Sequence, residues 1–331
     1  MASPNTGESL LELCRFYQRS QPLLAAAEIG LFETLAESGK SASGVAEALG
    51  TDPRATELLL NALVALGVLD KSGDTFDIPD GLAPLLSGSE ETNVLPMIRH
   101  HATCAHRWDT LAEVVRAGRP VHDTTSAPRT EAEQRAFIQA MHVVGREVAD
   151  GIVAAIRPER FRRALDVGGA SGTYTLALLR AVPEMRVALF DLPNVVGMAR
   201  DRLRESRLLD RVEVATGDFY VDPLPGGHDL VLLSAIIHQN SPAQNRELYK
   251  KCLGALEPGG TLVIRDILMD ETHTQPPGGA LFAINMLVAT MGGGTYSYEE
   301  IRDDLQAAGF VDVELIQPSM WMDGLVSARK P

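Results

Sequence analysis

Cysteine, basic residues and long apolar runs are all scarce in this chain, and each scarcity excludes something. Cys14, Cys104 and Cys252 are the only cysteines in 331 residues, and none forms a Cys-x-x-Cys pair. A disulfide framework is therefore not expected, and a reducing cytoplasm is the simplest setting. Thirty Lys and Arg stand against 44 Asp and Glu, a net charge of −14. That balance argues against nucleic acid or an anionic membrane as partner, since both need clustered bases, and favours a small cationic or neutral molecule. No apolar run approaches about 18 residues, and the opening MASPNTGESL lacks the basic stretch and apolar core of an export signal, so neither membrane spanning nor export is expected. What is present, 45% apolar and 22% charged residues, is an ordinary folded composition with length enough for two domains.

The first half, residues 1–156, reads as helix almost throughout. Apolar residues recur at three- and four-residue spacing, as at Leu58, Leu59, Ala62, Leu63 and Leu66. Within it, residues 41–86 run helix (Ser43 to Leu49), turn (Gly50 to Pro53), helix (Arg54 to Leu66), then two short strands, Val68 to Asp70 and Thr75 to Ile78, around Ser72-Gly73. The order resembles a winged helix, usually a DNA-binding device. Positions 41–90 hold only Arg54 and Lys71 as bases, against eight acids, and no DNA-reading face can be built from that. A structural use, in dimerisation or as a substrate lid, is expected instead. Gly118 to Arg129 reads as a loop, and Thr130 to Ile156 as one helix.

Residues 157–331 form the second expected domain, where strand and helix signals alternate. Strands are predicted at Ala164–Val167, Arg186–Phe190, Val212–Thr216, Leu230–Leu233, Thr261–Ile267, Val311–Ile316 and Gly324–Ala328. Helices are predicted at 173–181, 194–205, 242–256, 278–289 and 298–308. Such alternation implies an α/β fold, a Rossmann-like, mostly parallel seven-stranded sheet covered on both faces. Only the short stretch Gln317 to Asp323 joins the last two strands, so an antiparallel pair should close one edge.

Ligands bind such sheets at the carboxyl ends of the strands. The first strand runs into Asp166-Val167-Gly168-Gly169-Ala170-Ser171-Gly172 and then a helix. Glycines at 168, 169 and 172 allow a tight turn and close approach to a ligand. The spacing is neither the Gly-x-Gly-x-x-Gly of dinucleotide folds nor a P-loop. Asp166, at the mouth of the loop, would repel a pyrophosphate but suits a cation such as the sulfonium of S-adenosylmethionine. Asp191, followed by Leu192, ends the second strand, where a carboxylate can accept both ribose hydroxyls. Asp218 ends the third, with Phe219 placed to pack on an adenine. Loop aspartates are often mere turn formers; three at successive strand ends make a pattern. The fourth strand ends at Ser234 and leads to His238, and the fifth ends at Asp266. Such a histidine can be a packing residue; beside Asp266 it would be a general base with an orienting partner.

On these residues the sequence resembles the class I S-adenosylmethionine-dependent small-molecule O-methyltransferases, which include plant caffeic acid enzymes and bacterial antibiotic-tailoring enzymes. The motifs are LDVGGASG, FDLPNV, GDF, the strand leading to His238, LEPGGTLVIRD and GGGTYSYEE. The resemblance covers nearly the whole chain. It implies a homodimer, S-adenosyl-L-methionine as cofactor, contacts from Gly168, Asp191, Asp218 and Phe219, and His238 as base flanked by Asp266. It also implies Met141 and Met286 beside the ring of a small aromatic or polyketide-like acceptor. The chain departs from relatives in carrying Gln239-Asn240 where many have Asp-Trp, in replacing a second flanking glutamate of the plant enzymes near Thr295, and in having Ser234 in place of a lysine. Those changes keep open an alternative, a cofactor-binding relative catalysing C- or N-methylation or a reaction without methyl transfer.

Trp108, Phe137, His142, Phe282 and Asn285 complete the expected acceptor site, Asn285 standing out as a polar residue in an apolar helix. His100, His101, Cys104 and His106 lie on one helix, but no completing ligand set is evident, and no metal site is expected.

Overall fold

The computed structural model describes residues 4–89, 92–121 and 131–331. Residues 122–129 of the expected loop, and Thr130 after it, lie outside the described residues. Contacts divide the chain into two compact units, Met1–His106 and Arg107–Pro331.

In the first unit the turn Gly50 to Pro53 does what its residues dictate. Gly50 takes the left-handed conformation that closes the helix Ala42–Leu49. Asp52 then accepts from the Ala55 N–H at 2.8 Å, and Pro53 opens the helix Pro53–Ala65. The following strands are Asp70–Ser72 and Thr75–Asp77. Val68 and Leu69 fall outside the first of them because Gly67 has φ +74° and the Val68 N–H donates back to the Leu63 carbonyl, finishing the helix. A third strand not anticipated, Lys40–Ser41, pairs antiparallel with Thr75–Phe76. Leu31, Phe32, Leu35, Leu60, Leu63 and Phe76 form the core.

The second unit is built on a seven-stranded sheet: β1 (Arg163–Val167), β2 (Arg186–Asp191), β3 (Val212–Thr216), β4 (His228–Ser234), β5 (Leu256–Asp266), β6 (Val311–Gln317) and β7 (Gly324–Arg329). Their order is β6-β7-β5-β4-β1-β2-β3. Neighbours from β5 through β3 run parallel, while β7 is antiparallel to both β5 and β6, the expected edge pair. Side-chain alternation divides the core between the faces. Ala164, Leu230, Leu232 and Val263 pack with Ile152, Val153 and Leu178 on one; Leu165, Val231, Leu233 and Ile264 pack with Leu248, Tyr249 and Leu305 on the other. Each such buried Leu, Ile or Val side chain contributes roughly 1.5–3 kcal/mol.

Periodicity predicts one helix over 130–156, but the structure breaks it into Glu131–Arg146 and Ala149–Ala155. The second piece turns to set Ile152 and Val153 against the helix Thr173–Ala181. These helices belong to the second compact unit, so the division at 106/107 falls well before the boundary expected near 157. A further parallel pair, Leu268–Met269 with Tyr296–Ser297, extends beyond β5. Among the described residues no helix is long and apolar enough to cross a membrane.

Candidate active site

The carboxyl ends of β1 to β5 bring most of the singled-out residues to one edge. Gly168 has φ +71°, and a Cβ there would lie 2.5 Å from Cδ1 of Ile236, so the loop needs glycine both for its turn and for its neighbour. The Gly168 N–H donates to the Phe190 carbonyl at 2.8 Å. Asp191 ties the same loop to β2: Oδ2 accepts from the Ala170 N–H at 2.9 Å and Oδ1 from the Leu192 N–H at 2.7 Å. Burial raises its pKa, against the lowering effect of these two bonds. Gly172, at φ +71°, begins the helix Thr173–Ala181.

Asp166 stands elsewhere than at the mouth of the loop. It is 2% exposed, beneath Gly169, whose added Cβ would meet the Asp166 carboxyl at 2.9 Å, and it accepts from Oγ1 of Thr175 at 2.7 Å. Burial, reinforced by the Asp191 charge and opposed by Thr175, raises its pKa to about 6. Its carboxylate forms the floor of the loop. The folded chain holds this proton to about pH 6, whereas the unfolded chain releases it near 3.8. The resulting stabilisation is complete below the lower value and lost as pH rises through the upper one. In urea unfolding, Asp166→Asn should lack this decline, which amounts to about 3 kcal/mol. Parallel stability profiles for the two proteins between pH 4 and 7 would refute that role.

Asp218 is half-buried at the end of β3, with Oδ1 accepting from the Tyr220 N–H at 2.8 Å. The Phe219 ring lies 4.6 Å from that of Tyr220, and its carbonyl accepts from Nζ of Lys251 at 2.7 Å. Leu192 is exposed at the rim. Ser234, at the end of β4, receives a long 3.4 Å contact from Arg265.

His238 sits in a single turn, Ile237–Gln239, reached through Ala235, which holds φ +57°. Its Nδ1 lies 2.8 and 3.0 Å from the two carboxylate oxygens of Asp266. A carboxylate there requires the proton on Nδ1, which leaves Nε2 as an acceptor. Asp266 is 1% exposed and also accepts from the Ile267 N–H. Of the departure Gln239-Asn240, the second residue has a structural role here. Asn240 is fully buried; it donates to Asn245 and accepts from the Tyr220 and Tyr296 hydroxyls, while Asn245 donates to the Ile237 carbonyl. Asn240 fastens the turn that carries the histidine.

Phe282 meets the His238 ring edge-on, with centroids 5.0 Å apart, and Trp321 meets Phe282 likewise at 6.2 Å. Trp108 donates to Oδ1 of Asn285 at 3.1 Å, so the polar residue of that apolar helix has a protein partner. His142 contacts Oγ1 of Thr173 at 2.7 Å, Met286 is buried, and Phe137 and Met141 are half-buried on the helix Glu131–Arg146. In the first unit, His100 lies 3.6 Å from the Cys104 sulfur and His106 pairs with Glu28. Among the described residues no three His, Cys, Asp or Glu side chains gather as metal ligands.

Three residues at this edge were not anticipated: Trp321, Tyr174 and Arg265. Arg265 alone had a signal, a basic charge inside the predicted strand Thr261–Ile267. The Tyr174 hydroxyl and Arg265 Nε are buried without hydrogen-bond partners. The glycine cradle, the acids at β2 and β3 and these unsatisfied donors fit a nucleoside that carries both cationic and anionic groups.

The chain matches the O-methyltransferase domain over residues 108–311 and the O-methyltransferase dimerisation domain over 11–81. It is 32% identical to 3-hydroxy-5-methyl-1-naphthoate 3-O-methyltransferase of Streptomyces sahachiroi, over 97% of this chain and 94% of that enzyme. It is 33% identical to acetylserotonin O-methyltransferase of Bos taurus, over 98% of each. The structure of human N-acetylserotonin methyltransferase in complex with SAM superposes with a TM-score of 0.84 at 26% identity, covering 100% of this chain and 99% of that one. The chain belongs to the O-methyltransferase family and is an S-adenosyl-L-methionine-dependent O-methyltransferase.

Proposed function

We propose that His238 is the general base of this enzyme and that its acceptor is a hydroxyl of a small aromatic or polyketide-like secondary metabolite. The observation that carries the first part is the pair of short contacts from His238 Nδ1 to Asp266. Asp266 fixes the tautomer and stabilises the imidazolium formed when Nε2 takes the acceptor's proton. Bound S-adenosyl-L-methionine supplies an electrophilic methyl on a sulfonium, whose departure as a neutral thioether needs no acid. Gly168, Gly169, Gly172, Asp191, Leu192, Asp218, Phe219 and Ser234 would hold it, with Asp166 as support below. Trp108, Phe137, Met141, His142, Phe282, Asn285 and Met286 would wall the acceptor. The Streptomyces relatives, named for a hydroxynaphthoate and for tetracenomycin polyketide synthesis, support that acceptor class.

Residues 1–156, including the segment 41–86, would serve as dimerisation and substrate-lid domain of a homodimer, and 157–331 as the cofactor-binding catalytic domain. The dimerisation-domain match supports the homodimer, and the acidic balance of 41–90 supports a role without nucleic acid. Three free cysteines fit the cytoplasm. Incubation with methyl-labelled cofactor and a panel of phenols, naphthols and hydroxyquinones should place the label on oxygen of at least one. Label found only on carbon or nitrogen, or on no acceptor, would count against the reading.

A further inference from the structure

Arg265 is the penultimate residue of β5 and is only 3% exposed. A guanidinium in such a place needs an anion or a full set of acceptors. It has neither. Among the described residues no carboxylate forms an ion pair with it, its Nε has no partner, and its one side-chain hydrogen bond, to Oγ of Ser234, is long at 3.4 Å. The guanidinium lies 5.3 Å from the centre of the Tyr174 ring, and the Tyr174 hydroxyl is likewise buried and unpartnered. Ser234 lies within hydrogen-bonding influence of that hydroxyl, though no bond of normal geometry joins them. Two unsatisfied donors thus share one spot, where they cost free energy until a ligand accepts from them.

Their place along the sheet edge names the ligand group. Ser234 and Arg265 are register partners at the ends of β4 and β5. On the other side of β1 and its glycine loop stand Asp191 on β2 and Asp218 after β3. Adjacent strands lie roughly 4.8 Å apart. A ligand with its ribose at Asp191, lying across Gly168, would carry its far end to Ser234 and Arg265. The acids serve the nucleoside half, and the unpaired cation is left for the other end. We propose that Arg265, with Tyr174 and Ser234 beside it, binds the α-carboxylate of S-adenosyl-L-methionine. Consecutive residues of β5 then divide the work: Asp266 holds the base and Arg265 holds the cofactor's amino-acid end.

The test is calorimetric binding of S-adenosylhomocysteine and of its decarboxylated analogue, with no turnover involved. Wild type should prefer the carboxylate-bearing ligand by roughly 30-fold or more, the usual effect of removing one partner of a buried charge pair. Arg265→Met should bind the two ligands nearly alike, through weakened binding of S-adenosylhomocysteine alone. Tyr174→Phe, which keeps the ring and removes only the hydroxyl, should show a smaller shift in the same sense. An undiminished preference in Arg265→Met, or equal weakening for both ligands, would overturn the assignment. Should that variant fail to fold, an unchanged preference in Tyr174→Phe would overturn it instead. The inference rests on the strand-end edge being the cofactor site. Failure of wild type to bind S-adenosylhomocysteine would sink that reading, which the Arg265 comparison by itself does not touch.

Discussion

Replacing His238 by glutamine is expected to lower kcat by roughly 10²- to 10⁴-fold while leaving S-adenosylhomocysteine affinity nearly unchanged. Glutamine is the sharper substitution because Asp266 is 1% exposed. Alanine would strip that carboxylate of its imidazole partner, mixing a folding defect with the catalytic one. A glutamine amide can still donate to Asp266 but cannot serve as a base. The size of the loss is bounded from above because fixing the acceptor in line contributes on the order of 7–11 kcal/mol, and that part survives. Cofactor affinity should hold because the glycine loop and Asp191 belong to β1 and β2, bonded to one another and not to the His238 turn. Asp266→Asn should fall nearly as far by another route: an asparagine amide can donate to Nδ1 and drive the proton onto Nε2, where it blocks acceptance from the substrate. Transfer of labelled methyl measures kcat, and calorimetry measures binding. A glutamine variant turning over like wild type would remove His238 from the chemistry.

The sheet was readable from sequence because its evidence is local and periodic. Runs such as Leu230 to Leu233, bounded by turns and followed by helical spacing, leave few other topologies, and the short Gln317–Asp323 link dictates the antiparallel edge. The His238–Asp266 pair was readable for a related reason, since neighbouring parallel strands place their ends side by side. Side-chain direction was harder. Asp166 shows in sequence only as an acid before a glycine; that it points down to Thr175 depends on which face of β1 it occupies and on how the loop folds over it. Arg265 and Tyr174 are far apart in the chain and meet only through packing of the helix Thr173–Ala181 on the sheet. The break after Arg146 was hidden because no glycine-proline turn marks it in sequence; it shows only in the structure, where the second piece packs Ile152 and Val153 with the helix Thr173–Ala181. Asn240, a departure from relatives when read in sequence, proved to be a buried fastening whose partners, Tyr220, Asn245 and Tyr296, all lie on other elements.

Gly293→Ala should reduce kcat by roughly 10²-fold, the scale set by displacing a catalytic group by about 1 Å, although the added methyl touches no reacting atom. A Cβ at 293 would stand 2.4 Å from the His238 carbonyl oxygen and 3.0 Å from the carbonyl carbon of Gln239. Those are backbone atoms, with no rotamer to swing aside. The same His238 carbonyl accepts from the Gly294 N–H at 2.9 Å, so the glycine turn and the histidine turn are pressed together and bonded at one point. The histidine turn is also pinned from below, where Asn245 holds the Ile237 carbonyl and Tyr296 the Asn240 carbonyl. Pushed from one side and held at both ends, it can relieve the contact only by tilting, which draws Nδ1 away from Asp266. If the glycine turn retreats instead, the Gly294 bond breaks and Tyr296 moves with it, loosening the same histidine. Both routes lower kcat with cofactor binding retained. Gly294→Ala is the matched control: its Cβ would meet nothing within 4 Å, and near wild-type turnover is expected. Full activity in Gly293→Ala would mean that the two turns part without disturbing the base, and that the His238 geometry rests on Asp266 alone.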